Sequence, residues 1–251
     1  MKDFLSLLRL FNKNLKNVQK KHKNLIIFLK GVVKLQQKTM FNFAEYQKIK
    51  KNIDLLDKKT EIIAISKNHP LKEVENAISC GLEIFGENRV QEAKSKFEDI
   101  KKRNTNIKLH LTGPLQTNKV KQALNLFDVF HTLDRVKLLK EFVKSPDIIK
   151  NKNFFVQINT GKEITKSGIF PEDLKNFLGV CKTYGLNNIG GLMCIPPINE
   201  SPKKHFQIIN ELTKECELGR PSIGMSSDYE HALSFDPKYI RVGTILFGKR
   251  P

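Results

Sequence analysis

The sequence lacks tryptophan, long apolar runs and any dense group of cysteines. No stretch reaches the roughly 18 consecutive apolar residues of a membrane-spanning helix, so we expect no membrane association. The four cysteines, at positions 80, 181, 194 and 216, do not have the spacing of a zinc site. We therefore expect buried, reduced thiols and no bound metal. The short apolar clusters Ile62–Ile65 and Phe154–Ile158 have the length of buried strands.

Acidic residues are nearly absent from the first 40 positions. That segment holds ten Lys or Arg residues and one acid, whereas the rest of the chain holds 34 basic and 25 acidic residues. Each part therefore carries a formal charge of +9, half of the total of +18. The lysines after position 40 are spread over many segments and form no basic stripe with interleaved aromatics. We expect no nucleic-acid partner and a monomeric protein. Polyanion or membrane-surface binding by residues 1–40 is the alternative.

Residues 1–40 also lack the signature of a secretory signal, because no small-residue cleavage site follows a hydrophobic core. Arginine and serine are scarcer than in most transit peptides. We treat the segment as a basic, helical N-terminal extension. Targeting, disorder and an upstream start before Met40 all stay open for it. The expected location is cytoplasmic, or organellar if the extension is a transit peptide.

After residue 60, short β-like runs alternate with segments of helical periodicity. The predicted strands are Glu61–Ser66, Ile84–Gly86, Lys108–Thr112, Val129–Thr132, Phe154–Asn159, Gly191–Ile195, Ser222–Gly224 and Tyr239–Val242. Intervening segments such as Leu71–Cys80 and Asp134–Phe142 keep apolar residues on one helical side, and Asp134 is placed as an N-cap. This alternation predicts a parallel sheet. Eight strands in a chain of this length predict a single (β/α)8 TIM barrel over residues 41–251.

Several predicted strands end in polar or glycine-containing loops, which a barrel gathers at its C-terminal face, where active sites form. Lys67 closes the first strand. A partly dry pocket there would lower the pKa of its amine and make it a nucleophile for carbonyls. On position alone, an ordinary surface lysine is the alternative.

Strand alternation places Arg241, on the eighth strand, in the barrel lumen. Gly243 and Thr244 follow where barrels often bind phosphate, and Ser226, after the seventh strand, can add a hydroxyl. A structural arginine beside an ordinary turn is an equal alternative. Met193 on the sixth strand is a candidate cofactor contact, although a core position suits it well.

A set of motifs in this order resembles the pyridoxal phosphate homeostasis protein family. The motifs are AISK at 64–67, FGENRVQE at 85–92, HLTGPLQTNK at 110–119, HTLDR at 131–135, QIN at 157–159, KSG at 166–168, GLM at 191–193, GMS at 224–226 and RVGT at 241–244. One of them alone is weak, but the ordered set over about residues 60–248 is specific. The segment Glu215–Ser222 looks shorter than is usual in this family.

The resemblance implies an alanine-racemase-like barrel that holds pyridoxal 5′-phosphate (PLP) as a Schiff base on Lys67. It places Asn88 beside the cofactor and Arg241 opposite the pyridine nitrogen. It implies that Ser226 and the backbone of Gly243 and Thr244 hold the phosphate.

Lys166 matches a family lysine that is linked to a secondary PLP site. The implied function is PLP (vitamin B6) homeostasis. In this reading the protein carries PLP without established turnover and passes it to PLP-dependent apo-enzymes.

A PLP-dependent amino-acid racemase is the alternative function. A guanidinium opposite the ring nitrogen disfavours its protonation and weakens PLP as an electron sink. Racemases of this class share that arrangement, but they add a second β-domain and a tyrosine base. After Thr244 the sequence continues for only a few residues, and no obvious second base is present.

Overall fold

Eight parallel strands follow one another around a closed barrel in chain order. The computed structural model describes residues 40–249, so the N-terminal extension, apart from Met40, lies outside the described residues. The strands are β1 Glu61–Ile65, β2 Ile84–Glu87, β3 Lys108–Leu111, β4 Val129–Leu133, β5 Asn153–Ile158, β6 Ile189–Cys194, β7 Ser222–Met225 and β8 Tyr239–Val242. Four residue pairs join β1 to β8 and close the barrel. The predicted TIM barrel is confirmed.

Helices surround the barrel. They are α1 Phe43–Leu55, α2 Leu71–Ser79, α3 Val90–Arg103, α4 Val120–Leu126, α5 Val136–Phe142, α6 Pro146–Ile149, α7 Leu174–Thr183, α8 Pro202–Glu215, α9 Tyr229–Leu233 and α10 Thr244–Phe247. The prediction that Asp134 caps α5 was wrong, because Arg135 occupies the N-cap position. The Asp134 carboxylate instead pairs with the Arg135 guanidinium. The short segment before β7 leaves that strand intact.

The large apolar core lies between the strands and the surrounding helices, while a smaller cluster fills the lumen. The lumen cluster consists of Ile63, Val129, Phe155, Met193 and Tyr239. Val129 and Tyr239 begin their strands, so this cluster lies toward the N-terminal ends. It forms a floor, and the opposite end of the lumen is left for a site.

Helix α1 packs against the last helix, α10. The N-cap residue Asn42 accepts a hydrogen bond from the Glu45 N–H at 3.1 Å, and its own N–H donates to the carbonyl of Leu246 at 2.7 Å. The rings of Phe41 and Phe247 lie 5.5 Å apart. These contacts fix α10 against the segment that leads into α1. Helix α10 begins at the C-terminal face of the barrel.

Candidate functional site

A cavity of about 540 Å³ opens among the loops that follow the strands. Its lining residues are Ile65, Lys67, His69, Asn88, Thr112, Ile195, Met225, Ser226, Ser227, Arg241, Gly243, Thr244 and Ile245. Six of the eight residues predicted for the site are therefore brought together. These six are Lys67, Asn88, Ser226, Arg241, Gly243 and Thr244.

Lys67 is half-buried directly after β1. The residue before it, Ser66, is fully buried; its N–H donates to the Gly86 carbonyl at 3.1 Å. Asn68, which follows, has a left-handed backbone with φ of 63°. This conformation turns the chain sharply away from the strand. Asparagine tolerates a left-handed backbone better than most residues do. The lysine therefore sits at the tip of a tight turn on the rim of the cavity.

A buried polar network lies behind this turn, and the sequence did not reveal it. The Ser66 hydroxyl donates to Glu87 Oε1 at 2.7 Å, and Lys96 Nζ lies 2.6 Å from the same oxygen. Lys96 also pairs with Glu92 Oε1 at 2.9 Å. Burial raises the pKa of the Glu87 carboxyl, and the charge of Lys96 opposes that rise. The network connects β1, β2 and α3 directly beneath Lys67.

Arg241 is buried, and three hydrogen bonds fix its guanidinium. Nη1 donates to the Ser222 carbonyl at 2.7 Å and to its hydroxyl at 2.8 Å, and Nη2 donates to the Cys194 carbonyl at 2.8 Å. Burial lowers the pKa of this guanidinium. An arginine titrates so far above neutrality that it remains charged at pH 7. The site thus contains a rigid positive charge at the wall of the cavity.

The loops after β7 and β8 approach each other at the cavity. The Gly243 N–H donates to Ser226 Oγ at 3.2 Å. The Met225 N–H donates to Asp228 Oδ1 at 2.5 Å, which holds the loop that carries Ser226. Hydroxyl and backbone N–H donors are therefore grouped beside Thr244, where α10 starts.

Asn88 is held by the loop after the neighbouring strand. The Thr112 hydroxyl donates to Asn88 Oδ1 at 3.1 Å. A Cβ atom at Gly113 would lie 2.6 Å from Asn88 Cβ, so only glycine permits this approach. The close packing fixes the amide against the cavity wall.

Two predicted site residues lie elsewhere. Met193 is fully buried in the lumen cluster and does not line the cavity. Lys166 forms an ion pair with Glu163 at 2.6 Å and is also absent from the lining. Its neighbour Ser167 borders a second cavity of about 740 Å³ that shares Asn88 with the first. The cofactor roles of Met193 and Lys166 stay predictions.

Sequence reasoning missed several lining residues, including His69, Thr112 and Ser227. Each lies within four residues of the C-terminal end of a strand, and that position was the available signal. His69 is buried, with its ring stacked on Phe247 at 5.2 Å. It shapes the wall of the cavity next to Lys67.

The described part of the chain contains no group of three or more His, Cys, Asp or Glu side chains that could hold a metal ion. Within residues 40–249, no helix combines the length and apolar character needed to cross a membrane. All four cysteines are unpaired; Cys181 and Cys194 are buried, and the other two are half-buried.

The chain resembles known proteins over most of its length. Residues 45–251 match the model of the alanine racemase N-terminal domain family. The pyridoxal phosphate homeostasis protein of Aquifex aeolicus is 35% identical over 202 residues, which cover 76% of this chain and 87% of that one. The protein of the same name from Buchnera aphidicola is 38% identical over 204 residues, 76% of this chain and 86% of the other. The chain belongs to the pyridoxal phosphate homeostasis protein family.

A similar protein of solved structure has the same barrel. PipY of Synechococcus elongatus PCC7942, in a structure with PLP bound, is 32% identical with a TM-score of 0.65. The match covers 76% of this chain and 93% of PipY. The resemblance read from the ordered motifs is therefore confirmed, together with the alanine-racemase-like fold.

Proposed function

We propose that this member of the family binds PLP in the C-terminal cavity through Lys67 and takes part in cellular PLP balance. The observation that carries the proposal is the convergence of Lys67, Arg241 and the Ser226–Gly243 donors on one cavity. PLP bound to the related PipY supports the same conclusion.

The residues of the cavity fit PLP in charge and in polarity. PLP has an anionic phosphate, a flat aromatic ring and an aldehyde. Among the described lining residues there are two cationic side chains, Lys67 and Arg241, and no Asp or Glu. The isoleucines at positions 65, 195 and 245 add apolar wall for a ring. Hydroxyl and N–H donors around Ser226 and Thr244 suit a phosphate.

The six predicted residues that line the cavity then each have a defined task. When bound, PLP supplies an aldehyde that reacts reversibly with a primary amine. Lys67 would provide that amine from its tight turn, and Ser226, with the backbone of Gly243 and Thr244, would hold the phosphate. Asn88, whose amide is held by the Thr112 hydroxyl, would lie beside the cofactor. Arg241 is fixed by three hydrogen bonds and presents a cation where a stronger electron sink would need a carboxylate.

This arrangement favours a carrier over a racemase. Racemisation needs a second base that faces the substrate on the side opposite the lysine. Among the described lining residues there is no tyrosine. We further propose that the protein acts as a monomer and gives PLP to apo-enzymes. A cytoplasmic location stays a prediction.

The test is a visible absorption spectrum of the purified protein with PLP. The wild-type chain is expected to show a band that borohydride bleaches, and Lys67→Ala is expected to lose it. Lys94→Ala, which removes an exposed lysine, is the control and keeps the band.

A wild-type protein without such a band would refute the proposal. Amino-acid racemisation well above that of free PLP, lost in Lys67→Ala, would instead establish the racemase alternative.

A further inference from the structure

Lys96 is a buried lysine that does not line the cavity and yet holds the turn that carries Lys67. Its side chain is 6% exposed. The ammonium donates to the Ser66 carbonyl at 2.8 Å and to the His69 carbonyl at 3.3 Å. These two carbonyls lie on either side of Lys67, one residue before it and two residues after it. One cation thus joins both ends of the turn.

Two carboxylates complete the arrangement. Glu92 Oε1 accepts the Asn68 N–H at 2.5 Å, and Glu87 Oε1 accepts the Ser66 hydroxyl at 2.7 Å. Both carboxylates also pair with Lys96, at 2.9 Å and 2.6 Å. The backbone around Lys67 is therefore held at Ser66, Asn68 and His69. We call Glu87, Glu92 and Lys96 the clamp.

Stability alone gives a weak reason for such a group. Moving an ammonium and a carboxylate out of water is costly, and an apolar pair of similar size is often at least as stable. Glu87 is fully buried, and its Oε2 atom has no hydrogen-bond partner among the described residues. A buried ionic group of this kind is well suited to fixing one particular backbone conformation. The conformation it contacts is the turn of Lys67.

We propose that Lys96, together with Glu87 and Glu92, is a positioning residue that holds the Lys67 amine where it can react with PLP; this inference rests on the proposed function. The clamp contacts the residues on either side of Lys67, at Ser66, Asn68 and His69, and lies on the β1–β2 side. The phosphate donors lie after β7 and β8. Loss of the clamp should therefore impair the reaction at Lys67 and spare phosphate binding.

The experiment compares two ligands. PLP needs both the cavity and the Lys67 amine. Pyridoxine 5′-phosphate has the same ring and phosphate but no aldehyde, so it reports on the cavity alone. The test variant is Lys96→Met combined with Glu87→Gln, which leaves no unpaired buried carboxylate. The control is Lys94→Met with Glu98→Gln, which makes the same changes at an exposed ion pair on the same helix.

The test variant is expected to bind PLP about tenfold more weakly or worse, the size of effect that follows from losing hydrogen bonds to a charged group. Its affinity for pyridoxine 5′-phosphate should stay within about twofold of wild type, well under the effect of one such bond. Amide hydrogen exchange should become faster at Asn68 and His69. The control should match wild type in all three measurements.

Equal weakening for both ligands would show that the clamp is merely structural, and unchanged PLP binding would show that it is dispensable; either overturns the inference. If wild type binds neither ligand, the proposed function fails as well. If wild type binds both and only the clamp prediction fails, the proposed function stands.

Glu92→Ala provides a second route if the double variant does not fold. It keeps the buried Glu87–Lys96 pair and removes the acceptor of the Asn68 N–H together with the Glu92–Lys96 ion pair. A selective loss of PLP affinity is expected here too. If Glu92→Ala keeps its PLP affinity and the amide hydrogen of Asn68 exchanges at the wild-type rate, the inference is overturned.

Discussion

His110 and His131 lie side by side in the lumen. His110 Nδ1 and His131 Nε2 are 2.9 Å apart, and His131 stacks on Phe155 with ring centroids 4.8 Å apart. Burial lowers the pKa of His110 to about 3 and that of His131 well below its usual value. Both rings are therefore neutral at pH 7 and act as part of the floor beneath the cavity.

Acid should destabilise the protein through these rings. In the folded chain His110 stays neutral down to about pH 3, whereas in the unfolded chain it binds a proton near its usual pKa of about 6.5. Between these values the unfolded state binds more protons, so stability falls as the pH falls. We expect His110→Gln to flatten this dependence by about 1.4 kcal/mol per pH unit below pH 6. Urea unfolding at several pH values measures the slope.

The control for this prediction is His231→Gln, because His231 is exposed on α9. It should keep the wild-type slope. A His110→Gln slope equal to that of wild type would mean that the ring is not held neutral in the folded state.

Sequence position identified some site residues and missed others for a physical reason. Lys67, Ser226 and Arg241 lie at or near strand ends, and a parallel barrel brings such ends together whatever the side chains are. Lys96 lies inside a helix that also carries exposed lysines, such as Lys94. Its helical spacing from the buried Ala93 and Ile100 was too weak a signal, because only the packing of the folded chain decides which lysine is buried.

At the scale of elements, the strands were predicted well and their exact ends less well. β8 was predicted with its observed bounds, whereas β6 starts at Ile189, two residues before the prediction. Apolar runs reveal a buried strand, but hydrogen bonds to the neighbouring strands decide where it ends. Helix α1 was not predicted, because only Ile49 and Ile53 along it are buried and its apolar face is narrow.

The close packing of α9 against β7 requires a glycine in the strand. Gly224 has φ of +90°, and a Cβ atom there would lie 2.6 Å from Ala232 Cβ and 3.1 Å from Tyr229 Cα. Gly224→Ala should cost about 1 to 3 kcal/mol in backbone strain, and about as much again in overpacking. Denaturant unfolding measures the loss. PLP affinity should fall as well, because Ser226 follows two residues later.

Gly179→Ala is the matched control. Gly179 lies inside α7, and a Cβ atom there would meet nothing within 4 Å. Alanine should stabilise the helix by about 0.5 to 1 kcal/mol. If Gly224→Ala were as harmless as this control, the strain at β7 would not exist.

At the scale of the whole molecule, the positive charge of the barrel is partly neutralised by acidic neighbours, whereas that of residues 1–40 is not. Along the barrel, many exposed lysines have an acidic neighbour within ion-pair distance, as at Lys144–Glu141, Lys162–Glu172 and Lys204–Glu200. Such pairs weaken the field that a polyanion would meet. Residues 1–40 contain ten basic residues and a single acid, so their charge is not balanced in this way.

We therefore expect any affinity for a polyanion to depend on the first 40 residues, while PLP binding depends on the barrel. The chain lacking residues 1–39 should keep the PLP absorption band. Its binding to duplex DNA should weaken, and the slope of log affinity against log salt, about 0.9 per phosphate contact, should fall toward zero. Fluorescence anisotropy with labelled DNA at several salt concentrations measures both quantities. DNA binding that is unchanged by the deletion would place the polyanion site on the barrel, and loss of the PLP band would show that the first 39 residues support the cofactor site.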